Sequence, residues 1–256
     1  MPLGIIDKVM TLKERFFRER KSKSRIENFK ISKCKICNGD NLIFQFYKNG
    51  IGIIKCEDCF SKFADLTEEE YEKFLSLASK EVVNEGRTER NKRSRNIIRL
   101  QRCLQYKKRR INKILDFGCG DGSFVKTLRE LGYEAYGVDL LWAGEKSYIY
   151  KNLSDLSKYN MTFDLVIMVE VIEHLFNPIK ILSEIETMLN DQAVLYLESS
   201  FIDSKVAKLK GKDWVYIDPP RHITFLSEKS IILLLKNWMD ICRLNENVFL
   251  ATFSKG

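Results

Sequence analysis

The stretch "ILDFGCGDGSF", residues Ile114–Phe124, constrains this chain more than any other. An apolar run ends in three glycines at alternate positions, Gly118, Gly120 and Gly122, and a helical pattern begins at Ser123. A strand that enters a glycine turn and leaves as a helix belongs to a parallel sheet, where ligands sit beyond the carboxyl ends of the strands. Glycine allows the sharp turn and lets a ligand approach backbone N–H groups with no Cβ between them. The dinucleotide fingerprint is G-x-G-x-x-G. The spacing here is different.

The surrounding pattern supports such a sheet. Apolar runs at 113–117, 135–139, 163–169 and 193–199 read as strands, with helical patterns at 123–132 and 178–190 between them. "YIYKNLSDL" is the best candidate for the third strand, and "ICRLNENVFLATFS" for two closing ones. Ser227 reads as the cap of a helix, "EKSIILLLKNW". The expected fold of residues 113–256 is therefore α/β and doubly wound, a Rossmann-like, mostly parallel seven-stranded sheet.

Three segments precede it: 1–30, 31–66 and 67–112. The second holds Cys34-x-x-Cys37 and Cys56-x-x-Cys59, separated by 18 residues with the hairpin signal Asn49-Gly50 between them. Two thiols on each tight turn, brought together by a hairpin, make a four-cysteine zinc ribbon. Four protein ligands leave no open position, so this Zn2+ is expected to be structural; two redox pairs are the alternative. Thr67 and Glu70 form a capping box for the helix that follows. A second helix, over 88–109, belongs to the 67–112 connector.

Of the formal charge of +8, residues 1–30 supply +5 and residues 81–113 supply +9, leaving −6 for the rest. The first segment is a rough amphipathic helix, and residues 5–25 suit a surface packed on the body, a second subunit or an anionic membrane. The second basic run could be a solvated face or could attract nucleic acid, but it lacks the interleaved aromatics of a single-strand platform. No run of about 18 apolar residues predicts a membrane span. The N-terminus lacks a signal-peptide pattern. Seven cysteines, four of them in pairs, suit a reducing compartment, so the cytoplasm or its membrane surface is the expected location.

Asp139 ends the second strand, 21 residues after Gly118. An acid there accepts hydrogen bonds from ribose hydroxyls, so the ligand has a ribose. Asp116-x-Gly118-x-Gly120-x-Gly122, then Asp139, then "FDLVIMVEVIEHLFNP" resemble, in order, the motifs of the class I S-adenosylmethionine (SAM)-dependent methyltransferases. The resemblance covers about 113–256. It implies that Asp116, Gly118, Cys119, Gly120, Gly122, Asp139, Leu140, Val169 and Glu170 surround SAM, with Asp155 as the adenine contact.

SAM carries the reactive sulfonium, so the protein must align the acceptor and help remove its proton. The chain has two histidines. His174 follows the fourth strand, with Glu170 and Glu173 nearby; it either acts on the acceptor or shapes the turn. His222 lies in "DWVYIDPPRHITFLS", an aromatic stretch before the capped helix. "RHITFLS" is similar to a segment of zinc-containing methyltransferases that include sugar C-methyltransferases. That resemblance implies proton-transfer roles for His222 and Tyr216. The expected acceptor is a small molecule, a sugar, nucleotide-sugar or saccharide, methylated on oxygen or carbon; a zinc-ribbon RNA methyltransferase is the alternative.

Overall fold

The structure is a computed structural model and describes residues 29–78, 89–106, 110–141, 144 and 146–255. The N-terminal helix expected over residues 5–25, with its membrane contact, lies outside the described residues. No helix among them is long and apolar enough to cross a membrane.

In chain order the elements begin with β1 (Leu42–Lys48), β2 (Ile51–Cys56), β3 (Lys62–Ala64) and α1 (Glu68–Ala78). Next come α2 (Glu89–Tyr106), β4 (Lys113–Phe117), α3 (Ser123–Glu130), β5 (Glu134–Val138), β6 (Ile149–Tyr150) and α4 (Leu153–Ser157). Then follow β7 (Phe163–Val169), a 3-10 turn (Ile172–His174), α5 (Pro178–Glu186) and β8 (Leu189–Glu198). The last are α6 (Lys205–Lys210), β9 (Thr224–Phe225), α7 (Glu228–Leu234), β10 (Trp238–Asn245) and β11 (Val248–Phe253).

These elements form two compact units, each discontinuous in sequence. One comprises the described residues from 89 to Ile172, with Ile179–Ser199 and those from Leu235 onward. Its sheet has the order β10-β11-β8-β7-β4-β5-β6, with β6, β5, β4, β7 and β8 parallel and β11 antiparallel to both its neighbours. The expected seven-stranded, mostly parallel sheet is present. Strands covered on both faces read as nearly continuous apolar runs, and "KILDF" and "FDLVIMV" do so because Ile114, Leu115, Leu165, Val166 and Ile167 are all fully buried. Leu100 and Cys103 of α2 and Phe124, Val125 and Leu128 of α3 join the core on one side. Each large apolar side chain so buried contributes about 1.5–3 kcal/mol.

Several boundaries moved from their expected places. The helix expected to reach 190 stops at Glu186, and β8 starts at Leu189 rather than 193. Met188 and Leu189 fit a helical stripe, but Leu189 pairs with Phe163 across the sheet, and Gln192 takes a positive φ of 60° where the ladder shifts register. Strand β5 ends at Val138, leaving Asp139 just beyond it. The short third strand is β6, within the expected "YIYKNLSDL".

The other unit comprises residues 29–78, Glu173–Pro178 and Ser200–Leu234. Its sheet has the order β1-β2-β3-β9. The β1–β2 hairpin turns at Asn49 and Gly50, with φ of 49° and 70°, the pair of left-handed residues that a tight hairpin needs. The capping box forms: Glu70 N–H donates to Thr67 Oγ1 at 3.2 Å, and Thr67 N–H donates to Glu70 Oε2 at 3.0 Å. Ser227 caps α7 through a 3.2 Å bond from the Ser230 N–H. Strand β9 pairs antiparallel with β3, Phe63 opposite Thr224. Ile51, Ile53, Leu66, Tyr71, Trp214, Ile217 and Phe225 thereby share one core.

Candidate functional site

The sheet order reverses between β4 and β7, because the chain leaves β4 for β5 on one side and later returns to place β7 on the other. The loops after β4 and β7 diverge there and leave a crevice. A cavity of about 420 Å³ occupies it, lined by Asp116, Gly118, Cys119, Val169 and Glu170, with Ser123 and Phe124 of α3, Arg95, Asn96 and Arg99 of α2, and Glu198 of β8. That volume is within the range of small-molecule sites.

The loop is held open by its own hydrogen bonds. Gly118 and Cys119 both donate their N–H to the Val138 carbonyl, at 2.7 and 3.1 Å. The Asp139 carboxylate accepts from Gly120 N–H at 2.8 Å and from Leu141 N–H at 2.9 Å, tying the end of β5 to the glycine turn. Gly120 has a φ of 54°, and a Cβ there would meet nothing within 4 Å. Cys119 packs on Gly137, whose own Cβ would come within 2.6 Å of its sulfur.

Of the expected cofactor residues, Asp116, Gly118, Cys119, Val169 and Glu170 line the cavity. Gly120, Gly122, Asp139, Leu140 and Asp155 are not among its lining residues. Asp155 pairs with Lys158 at 2.7 Å on α4. The sequence reading missed the α2 contribution. Arg99 donates to both Glu198 oxygens, at 2.9 and 2.7 Å, and the Tyr196 hydroxyl donates to Glu198 Oε2 at 2.7 Å. Burial pushes the Glu198 carboxyl up, but the bonds from Arg99 and Tyr196 outweigh it, so the group ends below its usual range. Asp116 goes the other way. Burial, with Asp139 and Asp121 adding, pushes it up to about 7 against the opposing charge of Arg99.

The second unit brings together Glu173, His174, Tyr216 and His222. The Tyr216 hydroxyl donates to Glu173 Oε1. Both imidazoles are pinned through Nδ1: His174 to the Arg221 carbonyl at 2.7 Å, His222 to the Tyr216 carbonyl at 2.7 Å. Their ring centroids are 4.8 Å apart, edge to face, and the Tyr216 ring is 4.4 Å from His222. Burial and the neighbouring His174 push His222 down to about 3, the Tyr216 carbonyl opposing, so the ring is neutral at pH 7. The sequence assigned roles to His174, Tyr216 and His222 and placed Glu173 near His174; the structure buries Glu173 to 1% exposure within the cluster.

Residues 88–238 match the family described as methyltransferase domain. The chain belongs to that family. It is a class I SAM-dependent methyltransferase. The methyltransferase is 26% identical over 155 residues to a tRNA U34 carboxymethyltransferase of Campylobacter jejuni, covering 54% of this chain and 51% of the relative. It is 24% identical over 141 residues to the enzyme of the same description from Campylobacter fetus, covering 50% and 49%. The chain thus spans about half the length of the curated relatives it matches. Among solved structures, a Pyrococcus horikoshii protein superposes with a TM-score of 0.50 at 19% identity, over 64% of this chain and 91% of that one. That likeness concerns the fold.

The four paired cysteines of the methyltransferase also converge. Their sulfurs all lie within 4.8 Å of one another, with Cys34 to Cys59 at 3.4 Å and Cys37 to Cys56 at 3.6 Å. A tetrahedral ion with bonds of about 2.3 Å sets its sulfurs about 3.8 Å apart, close to those two spacings. Cys34, Cys56 and Cys59 are buried. Cys34 also accepts the N–H groups of Ile36 and Cys37 at 3.4 and 3.5 Å, the arrangement a tight C-x-x-C turn gives a metal-bound thiolate.

Proposed function

We propose that the chain transfers the methyl group of SAM to a hydroxyl of a sugar or saccharide. The observation that carries this reading is the cluster of Glu173, His174, Tyr216 and His222. A neutral amine attacks through its own lone pair, whereas a hydroxyl must lose its proton as it attacks. The similarity of "RHITFLS" to sugar-modifying relatives supports the choice of acceptor. In the transfer, the bond between methyl carbon and sulfur breaks as the bond to the acceptor oxygen forms. S-adenosylhomocysteine departs, and the hydroxyl proton leaves through the cluster to solvent. His222, His174 and Tyr216 are the residues assigned to activating the acceptor.

The cavity at the switch point suits SAM. Gly118 lines it with backbone that carries no Cβ, and Asp116, Glu170 and Glu198 give it acids for a cationic cofactor. Arg95 and Arg99 suit the carboxylate of SAM's methionine part. Gly120 and Gly122 shape the loop, Asp139 is assigned to the ribose hydroxyls, Leu140 to the same cofactor surface and Asp155 to the adenine. We assign the four-cysteine cluster to a structural Zn2+, on its donor set and spacing.

Affinity for SAM is expected to depend on pH through Asp116. With its proton lost only near pH 7, the free protein holds this acid partly neutral, while the sulfonium and ammonium of SAM favour the carboxylate. Binding then expels a proton, so affinity should rise with pH by up to about tenfold per unit and level off above about 7. Calorimetry from pH 6 to 8 measures this, and an affinity that falls with pH removes Asp116 from the cofactor site.

RNA is the second reading, favoured by the tRNA substrate in the relatives' names and by the basic run around α2. Pure protein, methyl-labelled SAM and an extract of the source organism separate the two. Label in soluble or lipid-linked saccharide supports the sugar reading. Label in RNA overturns it.

A further inference from the structure

We propose that Glu173, His174 and His222 bind a divalent transition-metal cation. One ligand atom from each lies within 4.8 Å of the other two. A tetrahedral ion with bonds of about 2.0–2.1 Å sets nitrogen and oxygen ligands about 3.3 Å apart, so no pair must close by more than about 1.5 Å.

The backbone beneath these side chains is already fixed. Residues 173–175 and 221–224 come from distant parts of the chain and are laced together. Ile223 N–H donates to the Glu173 carbonyl at 2.9 Å, and Thr224 Oγ1 donates to the Leu175 carbonyl at 2.8 Å. Tyr71, from α1, donates its hydroxyl to the His174 carbonyl at 2.7 Å. The ligand positions are therefore set by three separate segments.

The hydrogen bonds also choose the tautomers. A carbonyl only accepts, so the Nδ1 of each imidazole must carry the proton it gives to Arg221 or Tyr216. In a neutral ring Nε2 is then the atom with the lone pair. Metal-bound histidines show this arrangement, the other N–H donated to a carbonyl or carboxylate that orients the ring. The Tyr216 hydroxyl does the same for the buried Glu173 carboxylate.

Two imidazoles and one carboxylate suit zinc, cobalt, iron or manganese better than calcium or magnesium. Three protein ligands leave positions open for an outside oxygen. The catalytic consequence rests on the oxygen-acceptor reading above: a hydroxyl at an open position loses its proton more readily. The imidazoles would then act as ligands rather than as bases. Cation binding itself does not depend on that reading.

The test uses the full chain with its cysteine site loaded with zinc, titrated with cobalt(II). One further cobalt per chain is expected, with the weak visible bands of nitrogen and oxygen ligands rather than the intense charge transfer of thiolates. Glu173→Gln and His222→Ala should each weaken that binding at least about tenfold, while the zinc content and SAM affinity stay as in the parent. Glu173→Gln keeps the Tyr216 hydrogen bond and guards against loss of folding, checked by its melting temperature. No further cobalt, or cobalt binding unchanged in both variants, overturns the proposal. Labelled saccharide formed by protein that holds metal at the cysteine site alone, with intact SAM binding, overturns its catalytic part and leaves the methyltransferase reading standing. Cobalt bound with no saccharide labelled does the reverse.

Discussion

Gly118→Ala is expected to abolish measurable SAM binding and to lower the melting temperature of the protein. Gly118 has a φ of 80°, and a Cβ built there falls deep inside contact distance of Val171 Cγ2 and within 3.2–3.3 Å of two more of its carbons. Val171 cannot step aside cheaply. It is held between Glu170, itself at a positive φ of 55°, and the fully buried Ile172. Overpacking of this kind costs about 1–3 kcal/mol, and the left-handed backbone adds about 1–2 kcal/mol for any residue with a Cβ. The two contributions separate in a double variant. Gly118→Ala with Val171→Ala removes the two Cγ contacts, leaving Cβ at 3.3 Å, but keeps the backbone penalty, so part of the stability and affinity should return. Calorimetry with SAM and thermal melts of the two variants measure both. Wild-type affinity in Gly118→Ala would show that this loop does not hold the cofactor.

Cys56→Ser is expected to remove the metal and to unfold much of the unit that carries it. Cys56 ends β2 and is fully buried, and Phe60 N–H closes the Cys56–Cys59 turn on the Cys56 carbonyl at 2.8 Å. A structural zinc contributes about 10–16 kcal/mol to folding of a small module. A hydroxyl in place of the thiolate is a poor zinc ligand and loses a large share of that. The damage should reach α7, because the Ser227 hydroxyl that caps it also donates to the Cys59 carbonyl at 2.9 Å. Elemental analysis should show at least about one zinc per chain in the parent and in Cys103→Ser, and about one fewer in Cys56→Ser. Equal zinc in all three would remove the cysteine cluster as its holder.

Much of this fold was legible locally. The glycine turn after "KILDF", the Asn49-Gly50 hairpin, the Thr67–Glu70 capping box and the Ser227 cap each depend on a few adjacent residues whose backbone preferences and side-chain reach select one geometry. The apolar runs marked the central strands because a strand buried on both faces has no polar alternate positions to confuse the pattern. The paired cysteines were equally plain, since C-x-x-C spacing is itself the geometry of a two-thiolate turn.

Where elements met was decided elsewhere. Nothing in "ITFLS" says that Thr224 and Phe225 pair with β3, because two extended apolar residues can extend any free edge. That pairing places His222 beside Glu173 and His174. The basic face of α2 read as a solvent surface or a nucleic-acid stripe, yet Arg99 reaches Glu198 and Arg95 lines the cavity. The sequence by itself determined the sheet, the glycine loop and the cysteine turns, since short-range geometry settles each of them. Only the tertiary structure determined the Glu173–His174–Tyr216–His222 cluster and the arginine wall of the cavity. Their partners are about 50 to 100 residues apart, and formation of each unit's own core, not any local preference, brings such groups within reach of one another.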